Sequence, residues 1–301
     1  MGEVMEVTIR CLLFCISLLF VTSAAALPVR QMDVFGDSLS DVHSRYTNGP
    51  MWMEYLSDNL GVIADPGDNF ARVGATTAEI RQQVADFLAT HEVDGETVYA
   101  VWGGSNDLFQ AASSLDYLSP DFPDGVDLQG LLDQTIETGV DNLVAAVSSL
   151  ERAGVHHVMV VDVPNLGQTP QVQTLDGVLP RFELGAFLTD GAARFNAALW
   201  EALDGVDVVR VDTYALLTDV VNHPQAYDFG NATDTCTAYH AAPECASFVF
   251  YDGIHPTSRA HSLIAGNMVR ALSIDAPASV VLLATGLAVL VRRRRRLTAE
   301  G

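Results

Sequence analysis

The chain has 301 residues, 49% of them hydrophobic and 18% charged, enough to bury the core of one ordinary α/β domain. A formal net charge of −22 argues against nucleic acid as a partner, because a phosphate backbone needs a basic surface. All 16 basic residues are arginine, which also excludes a P-loop lysine and a lysine Schiff base.

In chain order, residues 11–22 (CLLFCISLLFVT) form an apolar run that leaves through SAAALP, the small-residue exit of a secretory signal peptide spanning 1–26. The stretch 27–274 is expected to be the folded domain. Apolar, β-rich runs at 32–35, 98–102, 155–161 and 206–211, with a weaker one near Phe70, alternate with helical patterns at 50–60, 77–90, 128–152 and 183–203. That alternation predicts an α/β fold, one three-layer domain with a parallel sheet between helices. In the third helix Leu132, Ile136, Leu143, Val147 and Leu150 share a face. Long polar loops are expected at 111–127 and 222–247, and a last helix from Pro256 to about Leu272. Residues 276–291 are largely apolar and would cover about 24 Å as a helix, directly before five arginines at 292–296. Arginines stay on the cytoplasmic side, so the domain is expected outside, with 275–301 as a membrane-anchored tail.

The strand ends hold the chemistry. Ligands of doubly wound sheets bind beyond the carboxyl ends of the strands. Gly36-Asp37-Ser38 follows the first strand, Gly74 lies in NFARVGATT after the second, and Asn106 lies in WGGSNDL after the third. Asp252 and His255, in DGIHPT, precede the last helix. Each piece alone is ordinary turn or cap chemistry. Together they supply every part of an acyl-transfer site: Ser38 as nucleophile, His255 as its base and Asp252 to orient the imidazole. The backbone N–H groups of Ser38 and Gly74 and the side-chain amide of Asn106 would receive the oxyanion. Asp37 is expected to brace its turn, and Trp52, Trp102 and Trp200 to lie in the core. Cys236 and Cys245, nine apart in an exported domain, are expected to form a disulfide, with two buried thiols as the alternative.

The motifs GDSLSD, NFARVGATT, GGSND, VDVPNLGQTP and DGIHPT resemble, over nearly the whole domain, the GDSL esterase/lipases of the SGNH hydrolase superfamily, in their lipase-like branch. The resemblance implies a flavodoxin-like fold with a five-stranded parallel sheet. It implies hydrolysis of small-molecule or lipid carboxylic esters without metal or other cofactor, through the triad Ser38, Asp252 and His255 and the oxyanion donors Ser38, Gly74 and Asn106. Val73 stands where the family usually has a first glycine, and SDVHSR departs from the usual Ser-Asp-Thr-Gly, at an expected pocket rim near His43. The tail resembles the PEP-CTERM class of envelope-sorting segments, without Pro-Glu-Pro, which would make a sorting protease a partner. A polysaccharide O-deacetylase is the alternative within the family, and a non-catalytic envelope binding module the alternative outside it.

Overall fold

The computed structural model describes residues 29–117, 122–179, 182–239 and 243–274. The expected signal peptide and C-terminal tail lie outside these residues. The central sheet contains β1 (Gln31–Gly36), β2 (Thr97–Trp102), β3 (Val158–Val161) and β4 (Val208–Val211), all parallel and adjacent in that order. Every residue of β2 is buried, as expected of a parallel strand covered on both faces.

Side chains alternate between the two faces, and a separate core forms on each. Phe35, Tyr99, Val101, Val158 and Val160 pack with α2 (Thr77–Thr90), α4 (Leu128–Arg152) and α6 (Leu184–Ala202). Met32, Val34, Val98, Ala100, Trp102 and Met159 pack with α1 (Trp52–Leu60) and α8 (Ser258–Ile274). Local signals start these helices. Thr76 and Glu79 form a capping box at α2, and the Asp127 carboxylate accepts from Gly130 N at α4. The expected face of α4 is buried, joined by Val140. Residues Val29–Ser273 form one compact unit, and no helix among the described residues is long and apolar enough to cross a membrane.

The α/β fold with a parallel sheet between helices is as expected, but the sheet has four strands and not five. Near Phe70 only bridge contacts survive, Val34 with Asn69 and Gln31 with Ile63. Phe70 N donates to Val34 O at 2.8 Å and Arg72 N to Gly36 O at 3.0 Å. Between these contacts Pro66–Asp68 forms a 3₁₀ turn, where proline offers no N–H to a ladder. The segment still runs along the free edge of β1, so the path keeps the flavodoxin-like order.

Three helices went unread in the sequence: α3 (Ser105–Ser113), α5 (Pro170–Asp176) and α7 (Thr213–Asn222). So did a two-stranded parallel sheet, β5 (Asn231–Thr235) with β6 (Phe248–Phe250), part of which lies in the expected loop 222–247.

Candidate functional site

β1 ends at Gly36 because nothing larger fits: a Cβ there would lie 2.8 Å from Trp102 O on the neighbouring strand. Gln83 of α2 clamps the same residue, accepting from Gly36 N and donating to Gly36 O, each at 2.9 Å. The chain then turns tightly, with Ser40 N and Asp41 N both donating to Asp37 O at 3.0 Å. The Asp37 carboxylate braces this turn by accepting from Leu39 N at 2.9 Å. Burial pushes the Asp37 carboxyl up to about 6, against the lowering pull of the Leu39 N–H and of His255. The turn presents Ser38, which is 9% exposed.

His255 arrives from the opposite end of the chain. Its Nε2 lies 2.8 Å from Ser38 Oγ, and its Nδ1 lies 2.9 and 2.8 Å from the two Asp252 carboxylate oxygens. An Nδ1–H donated to Asp252 leaves Nε2 as the acceptor facing the Ser38 hydroxyl. Asp252 Oδ1 also accepts from Ile254 N at 3.0 Å and His255 N at 2.8 Å. Burial works against the Asp252 charge, but the His255 ring and these two N–H groups outweigh it and hold the carboxyl below its usual range.

Asn106 ties two loops together, its Nδ2 donating to Ala75 O at 3.0 Å and to Asp37 Oδ2 at 3.3 Å. Gly74 has φ of +75°, the left-handed region that glycine enters without strain. The backbone N–H groups of Ser38 and Gly74 have no acceptor among the described residues, whereas Val73 N donates to Asp41 Oδ2 at 3.1 Å. Val73 itself points outward, so its replacement of a family glycine leaves the Gly74 conformation intact. Asp107 caps α2, accepting from Thr77 N at 3.0 Å and Thr77 Oγ1 at 2.7 Å. Trp52 and Trp102 are buried, and Trp200 is partly buried. Cys236 and Cys245 are joined as a disulfide, with Cα atoms 5.4 Å apart.

Two features escaped the sequence reading. The Tyr46 ring stacks on the His255 imidazole, with centroids 4.8 Å apart. It is held there by a loop tied down through Arg45, which makes a two-pronged ion pair to Glu54 and donates to Gly49 O. His43, expected at the pocket rim, is exposed. The second feature is the cleft itself. It opens beside Ser38, Asn106 and His255, encloses about 790 Å³ including space open to solvent, and is walled by Leu216, Leu217 and Val220 of α7. Val249 and Phe250 of β6 and Leu263 and Ile264 of α8 complete an apolar interior. That wall was illegible because α7 and β6 were not recognised. The Asp212-Thr213 pair before an apolar run was the available signal, since Asp212 caps α7 by accepting from Ala215 N at 2.7 Å.

Comparison with known proteins places the chain in a family. Lipase 1 of Photorhabdus luminescens is 25% identical, over 83% of this chain and 51% of its own length. A GDSL esterase/lipase of Arabidopsis thaliana is 23% identical, over 62% of this chain and 54% of its own. The chain therefore spans about half the length of these curated relatives. A lipase from a goat rumen metagenome shares the fold, with a TM-score of 0.51 at 17% identity, covering 80% of this chain and 97% of that one. The family model described as GDSL-like Lipase/Acylhydrolase matches residues 34–268, from the strand before Ser38 to the helix after His255, and the chain belongs to that family.

Proposed function

We propose that the protein is a serine carboxylester hydrolase acting through Ser38, His255 and Asp252. The observation that carries this reading is the continuous path Ser38 Oγ, His255 Nε2, His255 Nδ1, Asp252, with each gap at hydrogen-bond distance. His255 takes the Ser38 proton as Oγ attacks the ester carbonyl, and Asp252 holds the imidazole in the tautomer this requires. The N–H groups of Ser38 and Gly74 receive the oxyanion, joined by the Asn106 Nδ2–H that turns to it from Asp37 Oδ2, the longer of its two contacts at 3.3 Å. The imidazolium then returns its proton to the leaving alcohol, and a water activated by the same base hydrolyses the acyl-enzyme.

The apolar cleft favours an esterase/lipase over an O-deacetylase, because an acetyl group would leave most of that wall wet. The sequence features at the two ends support an exported enzyme held at the envelope by its tail. The test is turnover of 4-nitrophenyl acetate, butyrate and octanoate beside an acetylated xylan, in the presence of EDTA. The reading expects the longer acyl esters to be cleaved at higher kcat/KM than acetyl groups, and Ser38→Ala to abolish all of it. Preference for the acetylated glycan would favour the deacetylase. Absence of all hydrolysis by the folded wild type would favour a binding module.

A further inference from the structure

Four hydroxyl-bearing side chains line the cleft, Ser38, Ser105, Thr169 and Thr213. Three are matched within the protein. Ser38 faces His255, Thr169 Oγ1 donates to Leu166 O and Thr213 Oγ1 donates to Asp162 O, each at 2.8 Å. Ser105 is the exception: the residue is only 6% exposed, and its Oγ is buried with no hydrogen-bond partner. Buried polar groups are ordinarily satisfied, so one left open in a substrate cleft asks for a ligand.

A second observation points the same way. Ser105 is the first residue of α3, whose nine residues begin after Gly104 with no side-chain cap. Gly104 has φ of +111°, and a Cβ there would lie 2.7 Å from Val163 Cγ2 and 2.8 Å from Phe195 Cζ, so packing leaves no room for a capping serine or aspartate. The backbone N–H groups of Ser105 and Asn106 also lack an acceptor among the described residues. Gly36 pairs with Trp102 in the β1–β2 register, so Ser38 and Gly104 each lie two residues beyond a matched pair. Ser38, Ser105 and Asn106 line one and the same cleft, so these donors face the pocket that the reacting ester enters.

We infer that Ser105 Oγ and the open first turn of α3 form a subsite for a neutral acceptor oxygen, an ether, hydroxyl or second ester oxygen, carried by the substrate close to its scissile bond. This inference rests on the ester-hydrolase reading above. A neutral acceptor fits better than a carboxylate or phosphate, because Asp37 lines the same cleft and no arginine among the described residues does. Ser105 thereby selects among esters that the apolar wall alone would not distinguish.

The test uses two pairs of nearly isosteric esters, each compared as a ratio of kcat/KM so that intrinsic reactivity cancels between enzymes. 4-Nitrophenyl methoxyacetate against 4-nitrophenyl butyrate places the oxygen in the acyl part. 2-Methoxyethyl butyrate against butyl butyrate places it in the alcohol part. Ser105→Ala should lower one of these oxygen-to-methylene ratios by about five- to tenfold, the worth of one neutral hydrogen bond, and the pair that moves identifies which part of the ester enters the cleft. Ser105→Cys, close in shape but a weak donor, should lower the same ratio, and Ser105→Thr should retain it. If Ser105→Ala fails to fold, the cysteine and threonine variants decide alone. Hydrolysis of all four esters through Ser38 with both ratios within about twofold of wild type would overturn the subsite and leave the ester-hydrolase reading standing. No hydrolysis of any of the four by the wild type would overturn both.

Discussion

Ser38 stands at the end of β1, which is paired along its whole length with β2, buried on both sides and clamped at Gly36 by Gln83. His255 stands outside that sheet, on a loop between the small β5–β6 sheet and α8. Its supports are local. Tyr251 N donates to His255 O at 2.8 Å, Thr237 N to Tyr251 O and Thr257 N to Val249 O at 2.9 Å, and Gln171 N to Gly253 O at 2.8 Å. The Cys236–Cys245 disulfide closes the segment between β5 and β6, and Tyr46 covers one face of the His255 ring. The proposed nucleophile is thus placed by the core that gives the domain its stability, and its proposed base by short braces around one loop. Damage to the braces should reach catalysis before it reaches the fold.

The proposed catalytic pair, Ser38 and His255, is expected to give the largest effects. Ser38→Ala and His255→Ala should each lower turnover by about 10⁶-fold, and the double variant should be hardly worse, because the members act as one unit. Asp252→Asn should fall short of this, at about 10⁴-fold, since it misorients the imidazole without removing it. Asn106→Ala, which removes one oxyanion donor, should lower kcat by about 10²–10³-fold. Steady-state kinetics with a chromogenic ester orders the five variants, and a double variant far below either single one would break the assignment of Ser38 and His255 to one unit.

The disulfide sharpens the contrast between the two supports. Closing a ten-residue loop stabilises by roughly 2–3 kcal/mol, so Cys236→Ser with Cys245→Ser should lower Tm by about 5–10 °C. Turnover should fall at temperatures where circular dichroism still reports an intact fold. Loss of activity only in step with global unfolding would mean that the brace does not act on the His255 loop. A smaller effect is expected at Tyr46. Tyr46→Ala should lower kcat about fivefold with KM unchanged, through loss of the aromatic face over the developing imidazolium, and Tyr46→Phe should keep the wild-type kcat.

The last effect lies in the core, at Asp162 after β3, and concerns stability and not turnover. Its Oδ1 accepts from Thr213 N at 2.6 Å, Thr213 Oγ1 at 2.8 Å and Tyr214 N at 3.1 Å, fixing the start of α7. Burial outweighs these bonds and pushes its carboxyl up to about 7. A carboxyl raised in the fold binds its proton more tightly there than in the unfolded chain, so the wild type loses stability as pH climbs from about 4 to 7. Asp162→Asn keeps the Oδ1 acceptor and cannot ionise. Its Tm relative to wild type should therefore rise between pH 5 and 8, and a pH-independent difference would contradict the assigned direction.

The strands, the long helices and the proposed triad and oxyanion-hole residues were legible because each has a short-range signature. β1 and β2 are apolar runs, α2 and α4 have caps and a 3.6-residue period, and Ser38, Gly74, Asn106, Asp252 and His255 sit in strand-end motifs. The fifth strand failed at Pro66, whose effect on the ladder depends on where the neighbouring strand lies. Tyr46 was invisible because its partner is 209 positions away, and no local pattern announces a stacking contact of that separation. The cleft wall was missed because α7 is a short helix and β6 has three residues, each formed largely by what surrounds it.

The central claim is that the base on the braced loop activates the nucleophile on the core sheet. A fluorophosphonate probe followed by intact-mass and peptide mapping tests it most directly. The account predicts one adduct per chain, on Ser38, formed rapidly by the wild type, slowed by orders of magnitude in folded His255→Ala and absent in Ser38→Ala. An adduct on another residue, or labelling of Ser38 at the wild-type rate in His255→Ala, would contradict it.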